Sequence, residues 1–207
     1  MPQNKTKLVV DPASENPQNC YKLLIGSVVP RPIAFVSTIS SEGIYNLAPF
    51  SFFNVVCANP PVITFASGVR NPPKDTLANV RASGEFVVNI VSEPIAEQMN
   101  LCSGDYPHGV DEFAVSGLTP VASDLVRPPC VAESKVNMEC KLLQIIDVSQ
   151  RILGGSLVLG EVVRFHVDPG IIDNFRVDPD KLAAVGRMGG NEYTRTRQRF
   201  EMARPRV

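Results

Sequence analysis

The sequence predicts a mainly β fold, a barrel or sandwich carrying a few short helices. Three observations predict it. Apolar, β-branched runs of strand length recur at short spacing with turn residues between them. Two long runs, 131–142 and 157–167, alternate in part between apolar and polar residues on either side of Gly154-Gly155, the pattern of a long hairpin with one buried face. Only a few short stretches carry helix start and stop signals, too few to supply the crossovers of a parallel sheet.

In order along the chain, residues 1–19 place Pro2, Pro12 and Pro17 among polar side chains and read as an N-terminal arm. A short helix over 21–26 ends near Gly26. The first strand covers 33–40, and Ser41-Glu42-Gly43 turns it into a second run, 44–57, which Asn59-Pro60-Pro61 ends. Pro49 interrupts that run. Proline cannot donate to a sheet ladder, so the position is expected at an edge, a bulge or a gap in the pairing. A third strand covers 62–67. The stretch 77–84 reads as a short helix with Asp75 or Thr76 as cap and Gly84 as stop. A strand over 85–91 and a helix over 95–102 follow, the latter bracketed by Pro94 and Gly104. Proline and glycine crowd 104–130, which reads as a surface excursion of a length that often carries function. Beyond the long hairpin, a helical piece at 179–185 leads into Gly186-Arg187-Met188-Gly189-Gly190-Asn191-Glu192-Tyr193, and 194–207 form a C-terminal tail.

The 207 residues suit a single domain with a sizeable core. A net charge of −1 supplies no overall field that would draw the chain to nucleic acid or an anionic membrane. The tail arginines lack the interleaved aromatic residues of a nucleic-acid surface. No apolar segment is long enough to cross a bilayer or to serve as a secretory leader, so the expected location is the cytoplasm. Five cysteines without a C-x-x-C pair are then expected as free and mostly buried thiols. His108 and His166 are too few and too far apart for a histidine-rich metal site. His166, inside a strand pattern, is expected to be structural, while His108 lies in a loop that can reach a substrate. The chain has no G-x-G-x-x-G, no G-x-x-x-x-G-K-[ST] and no G-x-S-x-G, so Rossmann, P-loop and hydrolase readings have no support.

The stretch 30–76 says most. Pro30 and Pro32 stiffen the backbone on both sides of Arg31. The run Asn46-Leu47-Ala48-Pro49-Phe50-Ser51-Phe52-Phe53-Asn54 is strand-like but broken, and backbone groups without a strand partner need another one. Arg70-Asn71-Pro72-Pro73-Lys74-Asp75-Thr76 puts basic side chains and a hydroxyl at the start of the 77–84 helix, where free N–H groups favour an anion or, more plainly, a capping side chain.

These three motifs, taken in order with Pro30-Arg31-Pro32-Ile33 leading to Val36-Ser37-Thr38, resemble the flavin-reductase-like domain proteins, including the flavoredoxins. The resemblance runs from about Tyr21 to the Arg-Pro near the C-terminus. It implies an FMN-binding split β-barrel of Greek-key type. It also implies NAD(P)H-dependent reduction of flavin or electron transfer through bound FMN, with non-enzymatic FMN binding as the alternative. On this resemblance the FMN phosphate is held by Arg31, Lys74 and Thr76 with N–H groups at the following helix start, and Asp75 orients the loop. The flavin ring rests on 46–54, near Asn46, Ala48, Ser51, Phe52, Phe53 and Asn54. Ser37 and Thr38 add hydroxyl contacts, and Arg70 belongs to the basic turn. Arg187 and Tyr193 act from the same or the other subunit of a homodimer. Acids and bases are scarce, which suits a protein whose cofactor carries the chemistry. NADH and NADPH are equally open as donors, and no catalytic side chain is assigned.

Overall fold

The computed structural model describes residues 7–205. Helix α1, Pro17–Ser27, begins where Asn16 accepts the Gln18 N–H and Pro17 fills the first turn. It therefore starts inside the stretch expected as an arm, because a cap followed by proline opens a helix as readily as it breaks one. Two hairpins follow: β1 (Ala34–Ile39) with β2 (Tyr45–Phe50), and β3 (Phe53–Ala58) with β4 (Pro61–Gly68). Helix α2 (Asp75–Ser83) ends on Gly84 at a left-handed φ of 69° and turns directly into β5 (Glu85–Ile90). A 3-10 turn at Glu93–Ile95, α3 (Ala96–Leu101) and α4 (Glu112–Ser116) lead to a short pair, β6 (Pro120–Val121) and β7 (Cys130–Val131). The long hairpin is β8 (Val136–Ser149) and β9 (Gly155–Val167). A pair β10 (Ile172–Asp173) and β11 (Arg176–Val177), α5 (Pro179–Leu182), and a pair β12 (Val185–Arg187) and β13 (Tyr193–Arg195) complete the elements.

The main sheet has seven strands in the order β2-β1-β5-β8-β9-β4-β3, with every neighbouring pair antiparallel. Register shifts along β8 and β9 bend the long hairpin, as bulges do, and the sheet rolls until its two halves face one core. Phe50 of β2 and Phe65 of β4 meet there with ring centroids 4.9 Å apart, and Phe65 packs edge-on to Phe86 of β5. Val36, Ile63, Val88, Cys140 and Val158 join them, and Leu77 and Val80 of α2 plug one end. Position 160 must be glycine because the Phe86 ring lies over it: an added Cβ would stand 2.3 Å from the ring. The result is a split barrel, mainly β with few helices.

β1 is buried on both faces, which explains its unbroken apolar run. Its outer side chain Phe35, with Ile33 just before the strand and Leu47 of β2, lies under Ile95, Met99, Phe113 and Leu118. That second core fixes α3 and α4 against β2. Two sequence expectations need correction. The run 44–57 is divided at 51–52 and not at Pro49; Pro49 pairs with Phe35 inside β2, at a sheet edge, which is one of the places expected for it. The excursion 104–130 holds α4 and the β6–β7 pair, built into the second core by Phe113, Leu118 and Val131. All five cysteines are free, and burial pushes the Cys102 thiol up to about 11. Among the described residues no helix is long and apolar enough to cross a membrane.

Candidate functional site

A cleft of about 450 Å³ opens between three walls. β2 supplies Asn46, Ala48 and Pro49; the turn 70–74 and the start of α2 supply Arg70, Lys74, Asp75 and Thr76; and the strap 102–108 with Glu112 closes the third side. The second core presses α4 onto β2, which is why Glu112 arrives beside Asn46.

A chain of buried polar groups joins the walls. Glu112 Oε2 accepts from Asn46 Nδ2 at 2.9 Å and from the Leu47 N–H at 2.9 Å. Asn46 Oδ1 accepts from Thr76 Oγ1 at 2.6 Å and from Thr38 Oγ1 at 3.2 Å, and Thr38 Oγ1 in turn accepts from Asn79 Nδ2 at 3.0 Å. The carboxylate can only accept, so it fixes the Asn46 amide, and the fixed amide orients both hydroxyls. Burial raises the Glu112 carboxyl above the ordinary carboxylate range, against the opposing pull of these donors.

The cations of the cleft differ in what they meet. Arg70 pairs with Asp105 at 3.0 Å. Asp75 accepts from His108 through one oxygen and from the Gly109 N–H at 3.0 Å through the other, so it ties the strap to α2. That bond raises the His108 pKa. Lys74 has no carboxylate partner among the described residues; its ammonium lies 5.5 Å from the centre of the Phe50 ring. Burial, then the nearby Arg70, lower its pKa. Lys74 stands at the cap position of α2, whose first turn no side chain caps. A desolvated ammonium beside uncapped helix amides is the donor set of an anion site, and it fits a phosphate-bearing group.

The residues singled out in the sequence fall into separate places. Asn46, Ala48, Arg70, Lys74, Asp75 and Thr76 line the cleft. Thr38 lies behind them, buried and joined through Asn46. Ser37 points to the other side, where it donates to Pro129 O and receives from Asn89. Arg31 does not join Lys74. Its guanidinium is buried and donates to Ile25 O at 2.7 Å, Val28 O at 2.8 Å and Met188 O at 3.0 Å, with a long contact to Ser51 Oγ at 3.4 Å. Phe52 stacks under that guanidinium at 5.8 Å, and Arg187 stacks on Tyr193 at 4.5 Å. Tyr193 Oη donates to Asn100 Oδ1 at 3.1 Å. Phe53 and Asn54 lie on β3, beside a separate apolar cavity with Val55, Met138 and Phe165. Glu112 was not legible as a site residue; the Asp111 cap before it was the available signal. His166 bonds to buried Glu139, which also accepts the Asp124 and Leu125 N–H groups and so anchors that loop to the barrel.

The class defined by the fold is a split barrel, with a cleft of mixed charge that runs along one edge strand and is headed by the start of α2. Residues 25–179 match the flavin reductase like domain, and the chain belongs to that family. It is 34% identical to nitrilotriacetate monooxygenase component B from Bacillus cereus, with a TM-score of 0.91 over 95% of this chain and 99% of that one. It is 36% identical to the 2-nitrobenzoate 2-nitroreductase NbaA of Pseudomonas fluorescens, with a TM-score of 0.87 over 96% of each chain. An uncharacterized protein of Aquifex aeolicus is 44% identical over 178 residues, 84% of this chain and 89% of that protein.

Proposed function

We propose that this chain is an FMN-binding oxidoreductase that takes electrons from NADH or NADPH and passes them on as a flavin reductase or a flavoredoxin-like carrier. One observation carries the reading: Lys74, a desolvated cation without a carboxylate partner, stands at the uncapped start of α2. Lys74 and the first amides of α2 hold the phosphate, with Arg70 beside them. Thr76 gives its proton to Asn46, so its side chain has none for the phosphate; it holds the cleft wall, and its oxygen can accept only from a ligand hydroxyl such as those of the ribityl chain. Asp75 holds the strap and takes no part in anion contact. The ring lies along the edge of β2 past Ala48 toward Ser51–Asn54, where Phe52 and Phe53 offer main-chain donors, and Arg187 and Tyr193 frame it from this or a second subunit. Bound FMN supplies hydride acceptance from the nicotinamide; the protein supplies position, water exclusion and fixed donors.

The working form is a homodimer in the cytoplasm, with a second copy against the apolar outer surface. The family membership, together with relatives that include a monooxygenase component and a nitroreductase, supports oxidoreductase chemistry. The test is reconstitution with FMN followed by anaerobic titration with NADH and NADPH. Loss of the flavin absorption band with one or both is the expected result. Failure to bind FMN at about 100 μM, a free energy near −5.5 kcal/mol, sinks the reading. FMN binding without bleaching by either nucleotide leaves the carrier role and removes the reductase.

A further inference from the structure

We propose that Glu112 is a positioning residue for the flavin cleft, holding Asn46, Leu47 and through them Thr76, and that its negative charge opposes anion binding beside Lys74. This inference rests on FMN binding in the cleft described above.

The geometry separates the two roles. Both donors, Asn46 Nδ2 and the Leu47 N–H, meet the same oxygen, Glu112 Oε2. No described residue bonds to Oε1, and the residue lines the cleft. Holding the wall therefore needs one acceptor oxygen, and a glutamine amide oxygen in the same place keeps both bonds while the charge is gone. The carboxylate also lies close enough to Lys74 to favour its ammonium form, so part of the lysine's attraction for an outside anion is already balanced. A phosphate entering beside Lys74 meets a second negative group and draws a proton onto it. Burial already favours that proton.

The charged and titratable groups around Glu112 are Lys74 and Asp75 at the start of α2, Arg70 of the preceding turn, Asp105, Tyr106 and His108 of the strap, Asp111 at the cap of its own helix, and Cys102, whose thiol points at the Glu112 carbonyl. All of them, and the phosphate's own second ionisation, are common to the wild type and a Glu112→Gln variant. The difference between the two proteins isolates the Glu112 charge.

The experiment measures FMN affinity by flavin fluorescence from pH 5 to 8.5 for both proteins, with riboflavin and inorganic phosphate as separate probes. The ratio of Kd for the wild type to Kd for E112Q is expected near one at the acid end. It rises with pH to about fivefold for FMN, as one partly screened charge would give, and stays flat for riboflavin. Competition by inorganic phosphate follows the same trend. Glu112→Ala removes the pH-dependent difference too, and it weakens riboflavin as well as FMN because Asn46 and Leu47 lose their acceptor. This second variant keeps the test alive if the amide variant folds poorly. Parallel FMN profiles for wild type and E112Q would overturn the inference while leaving FMN binding in place. A wild type that binds no FMN would sink the parent reading and this one with it.

Discussion

Three backbone carbonyls from two segments converge on the buried Arg31 guanidinium: Ile25 and Val28 from the end of α1, and Met188 from the loop after β12. Backbone bonds between Arg31 and Arg187 run alongside, at 2.9 and 2.8 Å. Only a planar fork of donors satisfies carbonyls in that spread, so lysine is no substitute. Arg31→Lys is expected to cost about 2 kcal/mol of stability and Arg31→Ala about 3 kcal/mol, from lost charge-assisted bonds, in denaturant titrations without any flavin. A variant as stable as the wild type would remove the clamp. Lys74 shows the opposite case, a cation that forms no ion pair among the described residues. Lys74→Ala is expected to weaken FMN by about tenfold or more, the worth of one charge-assisted contact, and to leave riboflavin nearly unchanged. Equal loss for both ligands would place Lys74 away from the phosphate. Both side chains follow proline and both looked like phosphate ligands in the sequence. What separates them is the carbonyl cage around Arg31, which the end of α1 and the distant Met188 complete and which no residue pattern announces.

At the level of elements, the strap 102–108 is tied to α2 through Asp75, which holds His108 with one oxygen and Gly109 with the other. The His108 pKa is raised by Asp75, so the charged bond is complete below the ordinary histidine value of about 6.5 and is lost as pH rises through the higher folded value. An NMR titration of His108 should therefore give a pKa above 6.5, and Asp75→Asn should return it to about that value. An unshifted wild-type histidine would mean that His108 makes no bond to Asp75 and that the Gly109 and Asp105 contacts alone hold the strap. The hairpins, the glycine that ends α2 and the basic turn before it were legible because each rests on residues adjacent in sequence. Helix α4 was not. Its five residues sit among prolines and glycines, and Phe113 and Leu118 hold it in place through contacts with Leu47 and Met99 from other elements. Glu112 stayed hidden for the same reason, since its partners Asn46 and Leu47 lie far away in sequence. The break at 51–52 was misplaced onto Pro49 because proline is a strong local signal, whereas the switch of the chain between the two sheet edges is a property of barrel closure.

Across the whole molecule, the apolar surface is unevenly spread. α1 buries none of its residues, although Tyr21, Leu23 and Leu24 are among them. β3 is an edge of the sheet, and its residues Val55 and Val56 are 66% and 52% exposed. An apolar edge strand without charge or covering is a surface that a solitary chain has reason to avoid. Beside it the cavity lined by Phe53, Val55, Ile63, Met138 and Phe165 opens outward, and its walls are almost wholly apolar. A second copy is the occupant we propose, because the same uncovered apolar edge and cavity on another chain are matched in chemistry to this one. Sedimentation equilibrium at micromolar concentration should give twice the chain mass for the wild type. Val56→Lys should shift that equilibrium to the single chain, with an unchanged far-ultraviolet circular dichroism spectrum because the side chain is already half exposed. FMN affinity should fall in the same variant although Val56 lies outside the cleft, since a site completed by two subunits loses contacts when they part. A monomeric Val56→Lys protein that keeps full FMN affinity would show that each chain holds its flavin alone. A wild type that sediments as one chain would leave the exposed faces of α1 and β3 to another partner.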